Sequence, residues 1–173
     1  MNTIRKIISA FKAPVPFIDR ILELVALCIL ISMLVFTAYI YQQAPEQIPT
    51  KFDLDGNPVS MSDKVMLWYM SIFFVVMMLV SAGAAYDVNL KFVNVPFRIK
   101  GPVKTIQQKL ISRMSRYVTI CMGMMWLSFL LNTSVHFLSI PIFAAIFSKV
   151  SLFLMLAVIV YYSFKSWWIG RGC

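Results

Sequence analysis

Acidic residues are scarce in this chain, and so is charge in general. Only 7 of its 173 residues are Asp or Glu, against 16 Lys and Arg, and 13% are charged. An ordinary soluble domain has about 25% charged and about 45–50% apolar residues. Here 60% of the residues are hydrophobic, and they occur in blocks rather than at the period of an amphipathic helix or strand. The composition therefore excludes an ordinary soluble domain and indicates a membrane protein.

Cysteine and histidine are also rare, which restricts the disulfides, metal sites and catalytic sites that the chain could form. The three cysteines, Cys28, Cys121 and Cys173, lack the number and spacing of a disulfide framework or a zinc site. The sequence contains no nucleophile–base motif, no phosphate-binding loop and no pair of intramembrane carboxylates. We therefore expect a protein that is not an enzyme and that needs no metal or other cofactor.

Four hydrophobic blocks are long enough to cross a bilayer, which takes about 20 helical residues. They cover residues 21–41, 65–86, 117–138 and 142–165. None alternates at period two, which argues against a β-barrel. The sequence predicts an all-α membrane protein, with residues 1–173 forming a single domain built as a four-transmembrane-helix bundle.

Basic residues predict the orientation. Segment 87–116 holds seven basic residues and one acidic, for a charge of +6, whereas the loop 44–64 holds two basic and four acidic residues. By the positive-inside rule, both termini and segment 87–116 are cytoplasmic, and the loop 44–64 lies outside. This topology accounts for the net charge of +9, so we expect no nucleic-acid partner. Segment 87–116 would contact anionic membrane lipid or, alternatively, a cytoplasmic partner protein.

Three further predictions concern the residues at the start of the first span. Residues 1–18 have the pattern of an amphipathic helix lying in the membrane interface. Asp19 is placed to cap the first span. Glu23 is expected to pair with Arg20 or to neutralise other basic residues nearby.

The outer loop 44–64 has the turn chemistry of an ordered segment. Residues 50–54 suit a short strand, and Asp55-Gly56 is a tight-turn dipeptide. Ser60 and Asp63 match a capping box that would open the second helix. We therefore expect one ordered outer loop between helices one and two.

Part of this loop resembles a calcium-binding loop, but the match fails. Asp53, Asp55 and Asn57 fit the first three ligand positions. Pro58 and Lys64 then stand where a glycine and a bidentate glutamate are required. We interpret the three polar residues as turn formers and expect no metal there.

The amino-acid sequence of the loop resembles the signature of the SdpI-like bacterial integral membrane family. The similar runs are ProGluGlnIleProThrLysPheAsp at 45–53, AspGlyAsnPro at 55–58 and SerAspLysValMetLeuTrp at 62–68. The family pattern reads roughly Leu-Pro-x-x-Ile-Pro-x-His-Phe-Asn, then a Gly-Glu-Pro turn and a Gly-Ser-Lys. This chain has Lys51 in place of the histidine and Asp53 in place of the asparagine, so a role that needs an imidazole does not carry over.

The resemblance implies a location and a function. It implies the bacterial cytoplasmic membrane, and recognition or immunity against a secreted peptide toxin, with signalling to a cytoplasmic repressor in some members. The outer loop would then bind an extracellular peptide or protein ligand. The loop residues expected to bind it are Lys51, Phe52, Asp53, Asp55 and Asn57.

A second hypothesis depends on polar residues near the outer ends of the last two spans. Asn132, His136 and Lys149 could form a polar outer pocket, since an ionisable residue at membrane depth is a candidate for function. The protein would then be a subunit of a membrane transport or assembly complex that handles a small molecule or lipid. Alternatively, Lys149 anchors the helix by reaching the headgroups.

Overall fold

The computed structural model describes the backbone of residues 16–53, 57–86, 104–138 and 143–171, and the side chains of residues 16–53, 57–86, 105–134 and 149–169. These ranges contain helices α1 (Phe17–Gln43), α2 (Met66–Ala84), α3 (Lys104–Leu138) and α4 (Phe143–Arg171), with strands β1 (Gln47–Phe52) and β2 (Pro58–Asp63) between α1 and α2. Several predicted features lie outside the described residues: positions 1–15 of the amphipathic helix, Asp55, positions 87–103 of the basic segment and the side chain of His136.

Each of the four described helices is long and apolar enough to cross a membrane. The predicted all-α, four-helix membrane architecture is therefore confirmed. The observed helices are longer than three of the predicted spans: α1 begins directly after Pro16, and α4 continues to Arg171. Helix α3 begins at Lys104, so the second half of the basic segment is helical and leads without a break into the third span.

Helix α3 is the central element of the bundle. Within its membrane-span window 44% of the residues are buried, against 11%, 17% and 6% for α1, α2 and α4. All three of those helices pack mainly on α3, whereas α1 and α2 have few contacts with each other. Their apolar side chains consequently face outward, as expected where hydrocarbon is the solvent.

Small and polar residues let the other helices approach α3 closely. A Cβ atom at Gly123 would lie 2.4 Å from Cγ2 of Ile29 on α1 and 3.0 Å from Cε of Met78 on α2. Real Cβ atoms essentially never come within 3.0 Å of another heavy atom, so any larger residue here would force its neighbours on α1 or α2 to move. Several buried hydroxyl groups on α3 are satisfied by backbone carbonyls one turn earlier in α3 itself, as in Thr119 to Ser115 and Ser128 to Met124, so they need no partner on another helix. This composition is typical of helix contacts in membranes.

The hydrophobic core lies toward the hairpin end of the bundle, the end at which α1 and α3 finish. Ile48 of β1 is fully buried in this core, so the hairpin is continuous with the bundle instead of standing above it. The buried members come from α1, β1, α2, α3 and the turn after α1, and are Met33, Ile40, Ala44, Ile48, Leu67, Met78, Trp126 and Leu130.

The loop between α1 and α2 is an antiparallel hairpin of β1 and β2. Gln47 pairs with Asp63 and Phe52 with Pro58, and the register shifts on both sides of Lys51. Pro49 has no N–H to donate, and an irregular ladder beside a proline is expected. The predicted capping box is wrong: Ser60 and Asp63 belong to β2, and α2 starts after Val65 without a side-chain cap.

Candidate functional site

The base of the hairpin is closed by one lysine. The Lys64 ammonium lies 2.8 Å from Oε1 of Glu46, and the Lys64 backbone N–H donates to the Glu46 carbonyl at 2.9 Å. The same ammonium lies 5.5 Å from the ring centre of Tyr41. The hydrogen bond to Glu46 raises the pKa of Lys64. These contacts hold the start of β1 against the end of β2.

The inner face of β1 is fixed to α3. The Thr133 hydroxyl donates to the carbonyl of Pro49 at 3.3 Å. The Phe52 ring meets the Phe129 ring edge-on at a centroid distance of 6.2 Å. Phe129 stacks on Trp126 at 4.8 Å, and Trp126 stacks on Phe74 of α2 at 5.0 Å. We call Phe52, Phe129, Trp126 and Phe74 the aromatic ladder; it joins the hairpin to the bundle interior.

The tip of the hairpin is closed by Asp53 and Asn57. The Asn57 backbone N–H donates to Oδ1 of Asp53 at 2.8 Å, and its side-chain amide donates to Oδ2 at 3.2 Å. The Asp53 N–H donates in turn to the Asn57 carbonyl at 3.0 Å. Both carboxylate oxygens of Asp53 thus accept hydrogen bonds within the turn. Within the described part of the chain, no group of three His, Cys, Asp or Glu residues could hold a metal ion.

The residues predicted to bind a ligand therefore separate into two groups. Lys51, Asp53 and Asn57 are exposed at or next to the tip. Phe52 is half-buried and serves as the upper ring of the aromatic ladder. Asp55 lies outside the described residues.

Strand β2 presents an apolar row that the sequence reasoning missed. Val59 is 68% exposed and Met61 is 53% exposed, while the intervening Ser60 and the following Ser62 are half-buried. Alternation along a strand puts Val59 and Met61 on the same side. The described residues contain no strand on the far side of β2, so its outer edge is unpaired. The alternation of Val, Ser, Met and Ser was the signal that could have revealed this row.

The predicted polar outer pocket also belongs to the hairpin end. Asn132 is half-buried on α3, and Lys149 is exposed in the first part of α4. The side chain of His136 lies outside the described residues. Thr133, next to Asn132, bonds to the hairpin. The pocket itself stays a prediction.

A second polar cluster occupies the opposite end of the bundle, which we call the basic end. Arg113 forms an ion pair with Asp19 at 2.8 Å, and Arg116 one with Glu23 at 2.8 Å. The Arg116 side chain is only 6% exposed. The Tyr86 hydroxyl donates to the same Glu23 oxygen.

This cluster corrects the expectation for the acidic residues of α1. Asp19 does not cap the helix, because α1 begins after Pro16 without a side-chain cap. The partner of Glu23 is Arg116 of α3 and not Arg20. The two ion pairs connect α1 to α3. A half-buried pair fixes the register of two helices even where its net contribution to stability is small.

The comparison with known families adds one finding. A family described as "Domain of unknown function (DUF1648)" matches residues 28–78 of this chain. The matched segment holds most of α1, the whole hairpin and the larger part of α2. No curated protein and no solved structure is significantly similar to the chain.

Proposed function

We propose that this protein is a non-enzymatic recognition protein of the bacterial cytoplasmic membrane, whose hairpin binds an extracellular polypeptide. The resemblance of residues 45–68 to SdpI-like proteins supports an immunity or signalling role. The observation that carries the proposal is the exposed row of Val59 and Met61 on the unpaired edge of an anchored hairpin. Large apolar side chains on an open edge are unusual unless something covers them.

The binding mode is addition of a strand. An extended segment of the ligand would lie along β2 as a third strand, with main-chain hydrogen bonds for affinity and side-chain contacts for specificity. Val59 and Met61 would contact every second residue of that segment. Lys51 and Asp53, exposed near the tip, would contribute charged contacts at one end. Lys51 and Asp53 would thus belong to the same binding surface as the apolar row.

The anchoring of the hairpin suits recognition. A site held in place before binding loses less conformational entropy when the ligand arrives. The hairpin is fixed at its base by Lys64, on its inner face by Thr133 and Phe52, and in the core by Ile48. The ligand therefore meets a preformed edge.

The same anchoring offers a route to the interior. Displacement of Phe52 would change its contact with Phe129 and, through stacked Trp126, the contact with Phe74. Helix α3 carries both central rings and continues to the basic end, where segment 87–116 would meet a cytoplasmic partner or anionic lipid. A signal could thus be carried along α3, the helix that contacts all the others.

The test is photo-crosslinking in cells with benzoyl-phenylalanine at Met61, followed by mass spectrometry of the attached molecule. The matched control is the same probe at Phe153 of α4, which is 75% exposed. A discrete secreted polypeptide attached at Met61 and absent at Phe153 supports the proposal. Only lipid, or a second copy of this chain, at Met61 would refute it.

A pair of substitutions tests the edge directly. Val59→Lys with Met61→Lys should abolish ligand binding, because charge on an edge strand opposes strand addition. Val65→Lys, also at an exposed apolar position but outside β2, should leave binding intact. Equal effects of the two variants would contradict strand addition.

A further inference from the structure

A lateral groove runs between α1 and α2 in the half of the bundle nearer the basic end. It encloses about 200 Å³. Its walls come from α1 and α2 and its floor from α3, and the groove includes Leu22, Ala26, Leu30, Ala82 and Thr119. The groove exists because α1 and α2 contact α3 extensively and each other little.

The groove opens toward the membrane. Leu27 and Leu79 line it, and both side chains are more than half exposed. They lie on helices long and apolar enough to span a bilayer. The medium at the opening is therefore hydrocarbon, and an apolar groove left unfilled would forfeit its dispersion contacts.

The volume limits what fits. An apolar cavity of about 150 Å³ takes a benzene-sized guest, whereas pockets for drug-sized ligands run from about 300 to 1,000 Å³. A groove of about 200 Å³ therefore suits part of one hydrocarbon chain and is too small for a bulkier ligand.

One end of the groove is polar. Glu23, Tyr86 and Arg116 line that end. The guanidinium donates from Nε and Nη2 to Oε1 of Glu23 at 2.9 and 2.8 Å. The Tyr86 hydroxyl donates to the same oxygen. The groove thus combines a long apolar part with a charged, hydrogen-bonding end, which is the pattern of an amphiphile.

The charge around this end favours an anionic headgroup. Arg113 and Arg116 are paired with Asp19 and Glu23. Arg20 is exposed and has no ion-pair partner among the described residues. It precedes Glu23 by three positions and so lies on the same face of α1. Arg20 therefore lies about one helical turn from Glu23, near the polar end of the groove, as an exposed positive charge without an ion-pair partner in the described part of the chain.

We infer that the lateral groove binds one acyl chain of a membrane phospholipid, with the lipid phosphate beside Arg20 and the polar end of the groove. The chain fills the gap between α1 and α2 and completes their packing on α3. The bound lipid is thus a structural part of the bundle. This site is separate from the hairpin and does not depend on polypeptide binding there.

Native mass spectrometry tests the inference, using delipidated protein in micelles supplied with phosphatidylglycerol. Ala82→Phe fills the groove, and Val80→Phe places the same ring on an exposed position of α2 outside it. Wild type and Val80→Phe should retain one phosphatidylglycerol. Ala82→Phe should retain it at least tenfold more weakly, because each displaced methylene lowers affinity about fourfold.

Two further variants test the headgroup. Arg20→Gln should weaken retention of phosphatidylglycerol but not of diacylglycerol, which lacks the phosphate. Lys165→Gln, an exposed lysine of α4, is the control and should change neither. Equal weakening by both variants would mean that general basicity binds the headgroup, and would overturn the assignment to Arg20.

Folding is checked for each variant by its melting temperature. If Ala82→Phe does not fold, Ala26→Phe fills the groove from α1, with exposed Leu24→Phe as its control. Retention that is equal in filled and control variants would show boundary lipid only and refute the inference. A wild-type protein that retains no phosphatidylglycerol would refute it without any variant.

Discussion

Substitution of Gly123 by alanine should destabilise the bundle, although alanine favours helix more than glycine does. The new Cβ would lie 2.4 Å from Ile29 Cγ2, so the Ile29 side chain or α1 itself must move by about 1 Å to restore a normal contact. Overpacking of this kind costs about 1–3 kcal/mol, and the gain in helix propensity is about 1 kcal/mol. The net loss in the free energy of unfolding should therefore be up to about 2 kcal/mol.

The matched control is Gly83→Ala on α2, where an added Cβ meets nothing within 4 Å. Only the propensity gain applies there, so this variant should be neutral or more stable by up to about 1 kcal/mol. Both can be measured by equilibrium unfolding in mixed detergent micelles. The two substitutions are chemically identical, and we expect them to have effects of opposite sign.

A double-mutant cycle identifies the cause. Ile29→Leu moves the branch away from the backbone and removes the Cγ2 atom that meets the new methyl group. In the Ile29→Leu background, Gly123→Ala should therefore lose less stability, with a coupling of about 1 kcal/mol. If Gly123→Ala were as stabilising as Gly83→Ala, the close packing of α1 on α3 would be refuted.

Two further predictions concern the charged contacts. Glu23→Gln removes the carboxylate that pairs with the nearly buried Arg116. It should lower the free energy of unfolding by about 2–3 kcal/mol. The double variant Glu23→Leu, Arg116→Met should recover part of this loss in the same unfolding assay. Because Glu46 raises the pKa of Lys64, the stability from this pair is complete below the unfolded-state pKa and is lost as the pH rises through the folded-state value. A pH series of unfolding curves should show this small alkaline loss in the wild type and not in Lys64→Met; an identical loss in both would exclude the pair as its cause.

The four spans were predictable because each is a local property of the sequence. An apolar run of about 20 residues has few alternatives to a membrane helix, and the confirmed count rests on that signal alone. The helical half of the basic segment was predictable for a similar reason. Its composition favours helix, and no proline occurs between Lys104 and the third span.

The polar contacts between helices were not predictable. Glu23 and Arg116 are 93 positions apart, and Asp19 and Arg113 are 94 apart. A single sequence does not show which distant residues meet, so the nearer Arg20 was the obvious partner for Glu23. Only the packing of α1 against α3 decides between them.

Strand β2 shows two local patterns in competition. Ser60 and Asp63 match a capping box, and the alternation from Val59 to Ser62 matches a strand. The strand forms because pairing with β1 satisfies the backbone N–H and C=O groups of both segments, whereas a capping box would satisfy only a few of them. The hydroxyl groups of Thr50 and Ser62 then lie 2.9 Å apart across the ladder.

The central position of α3 has a consequence for biogenesis. The ribosome delivers α1, the hairpin and α2 to the membrane before the helix that both of them pack on. Until α3 arrives, Asp19 and Glu23 have neither of their arginine partners, and the core lacks Trp126 and Leu130. The matched segment 28–78 therefore contains only part of the hydrophobic core, and its contacts with α3 form only after α3 has been inserted.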